Sequence, residues 1–266
     1  MIRVDRGAGV KRPLRRRDHS GDVVGGTGKA RPVSLPIHPE VVAMSLRRTL
    51  IITAVFAAMV LTAAGGAAAA DQAAAAGNLQ TIVLPAPQTS GGMPLLDAIR
   101  TRQSRRSFAP DELPRETLST LLWAAWGINR PESGQRTAPS ARNRQATDLY
   151  VVLAEGAYRY DHQAHALQPV AAGDMRALTG RQDFVQSAPV NLVYVERMPE
   201  DSGDPQLVWA GSHAGFIGEN VYLYCASAGL ATVVRGLVDA AALAQALHLP
   251  AGHRVILTQS VGFPGS

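Results

Sequence analysis

The sequence predicts an α+β domain, and two observations carry that prediction. Helical and strand-like stretches follow one another in no regular order, and residues 148–154 and 157–161 read as two strands turning back on each other at Glu155-Gly156. A parallel α/β fold would alternate the elements and join its strands by crossovers rather than hairpins. Size gives a third constraint: about 196 residues remain from Asp71 onward, which suits a single domain.

The first 70 residues stand apart. They hold eleven of the 26 Lys+Arg and four of the 21 Asp+Glu, leaving fifteen basic against seventeen acidic groups in 71–266. The net charge of +5 therefore belongs to the leader, and nucleic-acid binding, which needs a basic excess on the folded part, is excluded. Residues 1–43 are rich in Arg, Gly and Pro and precede a second methionine, Met44; they read as a disordered leader or a translation start placed too far upstream. Residues 44–70 read as a signal peptide, with Arg47-Arg48, an apolar run from Leu50 to about Ala64 and small residues up to a cut after Ala70. An uncleaved membrane anchor is the alternative, although the last third of that stretch is only Gly and Ala. The paired arginines resemble a twin-arginine signal, a route for proteins folded around a cofactor. Export to a periplasmic or extracellular location is expected.

The rest divides into an Ala-rich linker or arm, 71–92, and a domain, 93–266. Ordered structure is expected from Pro94, with apolar residues at helical spacing through Arg100. Pro114 opens a second helix in which Leu118, Leu121, Leu122, Ala125 and Trp126 share a face, and Gly127 stops it. After the hairpin, 190–195 is an apolar strand, and 206–228 is a long helix in which Trp209, Phe216 and Tyr224 sit among Gly211, Gly215, Gly218 and Ala226. Small residues admit a neighbouring backbone, so this helix is expected to be buried, with a second subunit as one candidate neighbour. Strands at 231–234 and 255–258 flank a short helix at 240–247.

Several kinds of chemistry are excluded. Gly25-Gly26-Thr27-Gly28-Lys29 fails as a phosphate loop, because Val23 stands where the first glycine belongs and Ala30 where Ser or Thr would hold the metal. Residues 71–266 contain no lysine, which removes Schiff-base and Ser-x-x-Lys chemistry. Cys225, the sole cysteine, lies in an apolar helical stretch and is expected in the core. The one close histidine spacing, His162-Gln163-Ala164-His165, reads as a turn, and no metal is expected. One cluster points to a ligand. Arg102-Gln103-Ser104-Arg105-Arg106-Ser107-Phe108 packs three arginines and two hydroxyls into seven residues, a phosphate grip whose bland alternative is a solvated basic loop.

That run, followed in order by Leu121-Leu122-Trp123-Ala124-Ala125-Trp126-Gly127, Pro139-Ser140-Ala141-Arg142-Asn143-Arg144-Gln145, Ala188-Pro189-Val190 and Gly218-Glu219-Asn220-Val221-Tyr222-Leu223, resembles the nitroreductase family of flavin enzymes. The resemblance continues from Gly229 to Pro264, and within the family it is nearest the branch of azoline-oxidising dehydrogenases. It implies a central, mostly antiparallel sheet packed with helices, and a homodimer with FMN at the interface. It places Arg102, Gln103, Ser104 and Arg106 at the FMN phosphate and ribityl chain. Ser140, Asn143 and Gln145 would lie along the flavin ring, and the main chain at Arg235-Gly236 near its reactive nitrogen. The implied activity is transfer of hydride or electron pairs from a donor such as NAD(P)H to a small organic acceptor: a nitro compound, a quinone or an azoline-type substrate. A flavin-free binding or maturation module is the alternative. No acid or base residue stands out. The sequence departs from the family in having no basic residue after Arg254, so phosphate binding is expected to rest on the first cluster, with help from Arg142 or Arg144.

Overall fold

The computed structural model describes residues 76–199 and 202–266. The stretches read as a leader and a signal peptide, and the first residues of the expected arm, lie outside the described residues. Seven strands form one sheet in the order β1-β6-β5-β4-β7-β9-β8, every neighbouring pair antiparallel. They are β1 (Ile82–Val83), β4 (Thr147–Val152), β5 (Gly156–Asp161), β6 (Ala166–Ala172), β7 (Val190–Arg197), β8 (Ala231–Arg235) and β9 (His253–Gly262). A small hairpin, β2 (Ile128–Arg130) with β3 (Gln135–Arg136), stands apart. The helices are α1 (Leu95–Thr101), α2 (Arg115–Trp126), α3 (Asp204–Ala228) and α4 (Ala240–Ala246).

Two apolar layers sandwich the sheet, and β7 shows how one strand feeds both. Its alternate residues Leu192 and Tyr194 join Leu121, Leu122 and Ile217 of α2 and α3, while Val193 and Val195 join Leu243 and Leu247 beside α4 on the other face. Helix α2 starts after Pro114, whose fixed φ suits the helix entry, and buries the face expected of it. Helix α3 turns Ala210, His213, Ala214, Ile217, Gly218, Val221 and Cys225 inward at three- and four-residue steps and ends at Gly229 in the left-handed region. Burial pushes the Cys225 thiol pKa up, as suits a packing residue.

One expectation needs correction, and two further features go beyond the sequence reading. Ordered structure begins before Pro94: Ile82 and Val83 pair with β6 at the sheet edge and Leu84 is in the core, so this part of the 71–92 stretch belongs to the domain. Strand β6 goes unread because Pro169 and weak alternation disguise it. Helix α3 is buried on one face only. A Cβ on Gly218 would lie 3.2 Å from Val234, whereas at Gly211 and Gly215 it would meet nothing within 4 Å.

Buried phenols give the fold an alkaline limit. Burial raises the pKa of Tyr150 to about 12 and holds Tyr160 and Tyr194 above the usual range as well. In the unfolded chain these groups lose their protons from about pH 10, so above that pH the unfolded state binds fewer protons and stability is lost as pH rises. Unfolding free energies from urea titrations at fixed protein concentration should begin to fall near pH 9, where the Cys225 thiol, held protonated by burial, ionises only in the unfolded chain. Above pH 10 they should fall by about 1.4 kcal/mol per pH unit for each phenol, and Tyr150→Phe should reduce that slope.

Candidate functional site

The stretch after α1 runs past the C-terminal half of α3. Arg102 and Ser104 both meet Tyr222 of α3: the Arg102 guanidinium lies 5.0 Å from the ring centre, and Ser104 Oγ shares a 2.8 Å hydrogen bond with the phenol. Gln103 and Arg105 pair with each other, the Gln103 carbonyl accepting from Arg105 Nη2 at 3.0 Å, and line a cavity of about 240 Å³ together with Tyr222. Arg106 is exposed. The backbone is pinned, because Arg105 N–H donates to Thr232 O in β8 at 3.0 Å. Tyr222 completes the pin by accepting from Val234 N–H at 2.9 Å. The far end of the stretch is held by the last residues of the chain. Phe108 bridges Pro264, and Gly265 N–H donates to Ser107 O at 3.0 Å.

Residues 140–145 form a second cluster beside the N-terminal half of α3. Arg142, Asn143 and Gln145 all adopt left-handed backbone, with φ of 54°, 52° and 48°. For residues with a side chain each such conformation costs roughly 1 kcal/mol or more, so the turn persists only if its surroundings hold it. They do so at both ends. Gln145 N–H donates to Ser140 Oγ at 3.0 Å, and Gln145 O accepts from Arg197 Nη2 at 2.6 Å. The Gln145 amide is used up within the chain, its oxygen accepting from Arg136 Nε at 2.8 Å and its nitrogen donating to Gly134 O and Asn143 Oδ1. Arg136 is itself buried, donates to Trp126 O and lies over the Trp126 ring; burial draws its pKa down to about 10. Entry to the turn is set by His213 of α3, whose Nε2 accepts from Ala141 N–H at 2.9 Å. Behind it Glu196 Oε1 sits 2.9 Å from His213 Nδ1, and Glu196 Oε2 accepts from Thr147 Oγ1 at 2.6 Å.

Each expected residue can now be placed. Arg102, Ser104 and Arg106 form one group and Ser140, Asn143 and Gln145 another, but a single chain does not bring the groups together. Tyr222 and His213 are nine residues apart, two and a half helical turns, so they flank α3 on opposite sides about 13 Å apart along its axis. Gln103 is spent on Arg105, whereas Ser140 keeps its hydroxyl proton and exposed Asn143 keeps its amide donors. The Arg235 side chain is buried on the sheet face away from α3. It donates to Thr179 O at 2.8 Å and Asn191 Oδ1 at 2.9 Å and lies near the Phe184 ring. No carboxylate faces it among the described residues, and burial lowers its pKa to about 10. Only the main chain of Arg235-Gly236 can serve a ligand on the α3 side. His165, one of the closely spaced histidine pair, is bonded through both ring nitrogens to Ser119 and Tyr160.

Beside the turn, Arg142, Arg144, Gln206 and Trp209 line a cavity of about 290 Å³. A larger one of about 570 Å³ lies between residues 88–93, α2 and α3. Another, of about 320 Å³ near Leu113, Leu153 and Val190, shares no residue with either cluster.

Tyr222, His213, Glu196, Arg136 and Arg197 escaped the sequence reading. Glu196 had a signal: alternation along β7 places it on the same face as Leu192 and Tyr194, a carboxylate where an apolar residue belongs.

The comparisons with known proteins bear on this arrangement. Residues 99–263 match the family model described as the nitroreductase family, and the chain belongs to that family of flavin-dependent oxidoreductases. A presumed nitroreductase of Methanocaldococcus jannaschii is 31% identical over 155 residues, 53% of this chain and 78% of the relative. The crystal structure of a presumed nitroreductase from Ralstonia eutropha JMP134 is 43% identical with a TM-score of 0.67, covering 71% of this chain and 91% of that one. A chain of the Escherichia coli microcin synthetase complex, 19% identical with a TM-score of 0.54 over 71% of this chain and 80% of its own, shares the fold.

The Tyr222 hydroxyl ties α3, β8 and the first cluster together. Tyr222→Phe should therefore destabilise the protein by about 1–3 kcal/mol, because Val234 N–H loses its acceptor. Urea unfolding with an unchanged m-value checks this.

Proposed function

We propose that the protein is an exported FMN-dependent oxidoreductase that passes a hydride or electron pair from a donor such as NAD(P)H to a small organic acceptor, a nitro compound, a quinone or an azoline-type substrate. The observation that carries the proposal is the first cluster. Arg102 and Ser104 stand together on Tyr222 with exposed Arg106 following, and no carboxylate pairs with any of the three among the described residues. Guanidinium and hydroxyl donors so arranged match the oxygens of a phosphate monoester. Ser140 and Asn143 retain donors suited to the polar edge of a flavin ring. When bound, the flavin supplies the hydride chemistry, while this chain's residues bind and orient it.

A second copy of the chain completes the site in this proposal. The outward face of α3 is apolar where a lone chain would be polar: Val208 is 67% and Trp209 54% exposed, and Leu96 on α1 is 78% exposed. Gly211 and Gly215 leave room on that face for another backbone. Two α3 helices packed antiparallel about a two-fold axis would set the N-terminal half of one, with its 140–145 turn, alongside the C-terminal half of the other, with its arginines. Among the described residues no helix is long and apolar enough to cross a membrane, and the export assignment rests on residues 44–70. The flavin-free alternative draws on Gln145, whose amide is committed within the chain.

Purified protein should be yellow, or become so and gain thermal stability with added FMN; a colourless protein indifferent to FMN would sink the enzyme. Replacing Arg102 and Arg106 by Ala should weaken FMN by roughly tenfold or more per arginine and leave riboflavin, which lacks the phosphate, nearly unchanged. Equal losses for both ligands would make the arginines structural. Phe216→Glu should yield a monomer that no longer retains FMN, and a monomer with undiminished affinity would rule out a shared site.

A further inference from the structure

The buried pair His213 and Glu196 sets the entry to the turn, and which protons it carries decides whether that contact can form. We propose that His213 is a positioning residue for the 140–145 turn, acting only as the neutral ring protonated at Nδ1, and that a proton on Nε2 releases the turn. The proposal rests on the flavin reading for its consequence, but not for its geometry.

The tautomer follows from the partners. A backbone N–H can only donate, so the 2.9 Å contact from Ala141 requires a lone pair on His213 Nε2. The ring proton of the neutral imidazole must then lie on Nδ1, where Glu196 Oε1 accepts it at 2.9 Å. The second Glu196 oxygen is occupied by the Thr147 hydroxyl, which fixes the carboxylate in place. All three side chains are buried, His213 at 2% exposure, so water does not substitute freely for any member.

The charged surroundings define what protonation does. Glu196, from β7, is the charged group in hydrogen-bond contact with His213. From α3 itself the Trp209 ring stacks at 6.4 Å, and on the turn Arg142 and Arg144 carry their charges outward. Arg197, beside Glu196, is directed to Gln145 O and Asp148. A proton taken from solvent onto Nε2 leaves the imidazolium still paired with Glu196, so the ring stays. Its Nε2–H then faces the Ala141 N–H, donor against donor, and Ala141 loses its acceptor. The turn depends on such contacts because three of its residues hold left-handed backbone. Loss of the entry contact loosens the Ala141 end of the turn, while Ser140 and Asn143 keep their bonds to Gln145 and the Arg197 and Arg136 contacts still hold the exit.

His213→Gln and His213→Leu separate positioning from packing. The glutamine amide offers an oxygen to Ala141 and an N–H to Glu196 and does not titrate; leucine offers neither. In flavin-free protein at pH 8, trypsin should nick after Arg142 or Arg144 several-fold faster in His213→Leu than in the native protein, with His213→Gln close to native. Nitrogen NMR of the native imidazole should show the Nδ1–H tautomer. Native FMN affinity should fall roughly tenfold, the loss of one buried hydrogen bond, as pH is lowered and the His213 signals report protonation, and His213→Gln should show no such fall. An Nε2–H tautomer at pH 8, equal nicking of all three proteins, or the same pH dependence in His213→Gln would each overturn the proposal. If no variant binds FMN at any pH, the flavin reading fails, while nicking and tautomer still decide whether His213 positions the turn.

Discussion

The long helix α3 sets the distance between the two clusters, because it contributes one anchoring side chain to each, Tyr222 and His213. Tyr222 receives the arginine-serine stretch and His213 receives the 140–145 turn, so neither cluster can shift without the helix. The helix in turn is seated by close contact with the sheet. Gly218 brings its backbone against Val234 and Gln259, and Gln259, which accepts from the Tyr194 hydroxyl, donates to Thr232 Oγ1 at 2.9 Å. The polar groups thus buried are each partnered, which makes the seating specific as well as tight.

Tension and restraint are divided unevenly between the clusters. The first is a relaxed stretch stitched into β8 and the C-terminal residues, with its charged ends turned outward. The second is a conformationally costly turn, and its restraints come from three separate elements: α3 through His213, β7 through Arg197 and β3 through Arg136. A strained turn gripped this way presents its free donors in one arrangement instead of many, and pre-organisation of that kind lowers the ordering cost a ligand must meet.

Much of this was legible in the sequence, and the remainder has identifiable causes. Helices α1, α2 and α3 announce themselves by residue spacing, and α2 also by Pro114 and Gly127, because those signals are local. The polar residues of both clusters are legible through an ordered set of motifs. Strand β1 is not, since two residues have no period, and β6 hides behind Pro169. Tyr222 and His213 look like ordinary helix residues. Their roles come from partners 118 and 72 positions away, a relation that no window along the chain contains. Gln145 shows the converse: its place in the motif suggests a ligand contact, and only the fold reveals that Arg136 and Gly134 have already taken its amide.

The bridge between Phe108 and Pro264 has a kinetic side. It joins the start of the domain to its end, so the arginine stretch acquires its final shape only after β9 has docked and the last residues have come back across the sheet. Contacts of such long sequence separation form late in folding. The arginine stretch is therefore complete only when both ends of the sheet are in place, and its final shape becomes a signature of the completed fold.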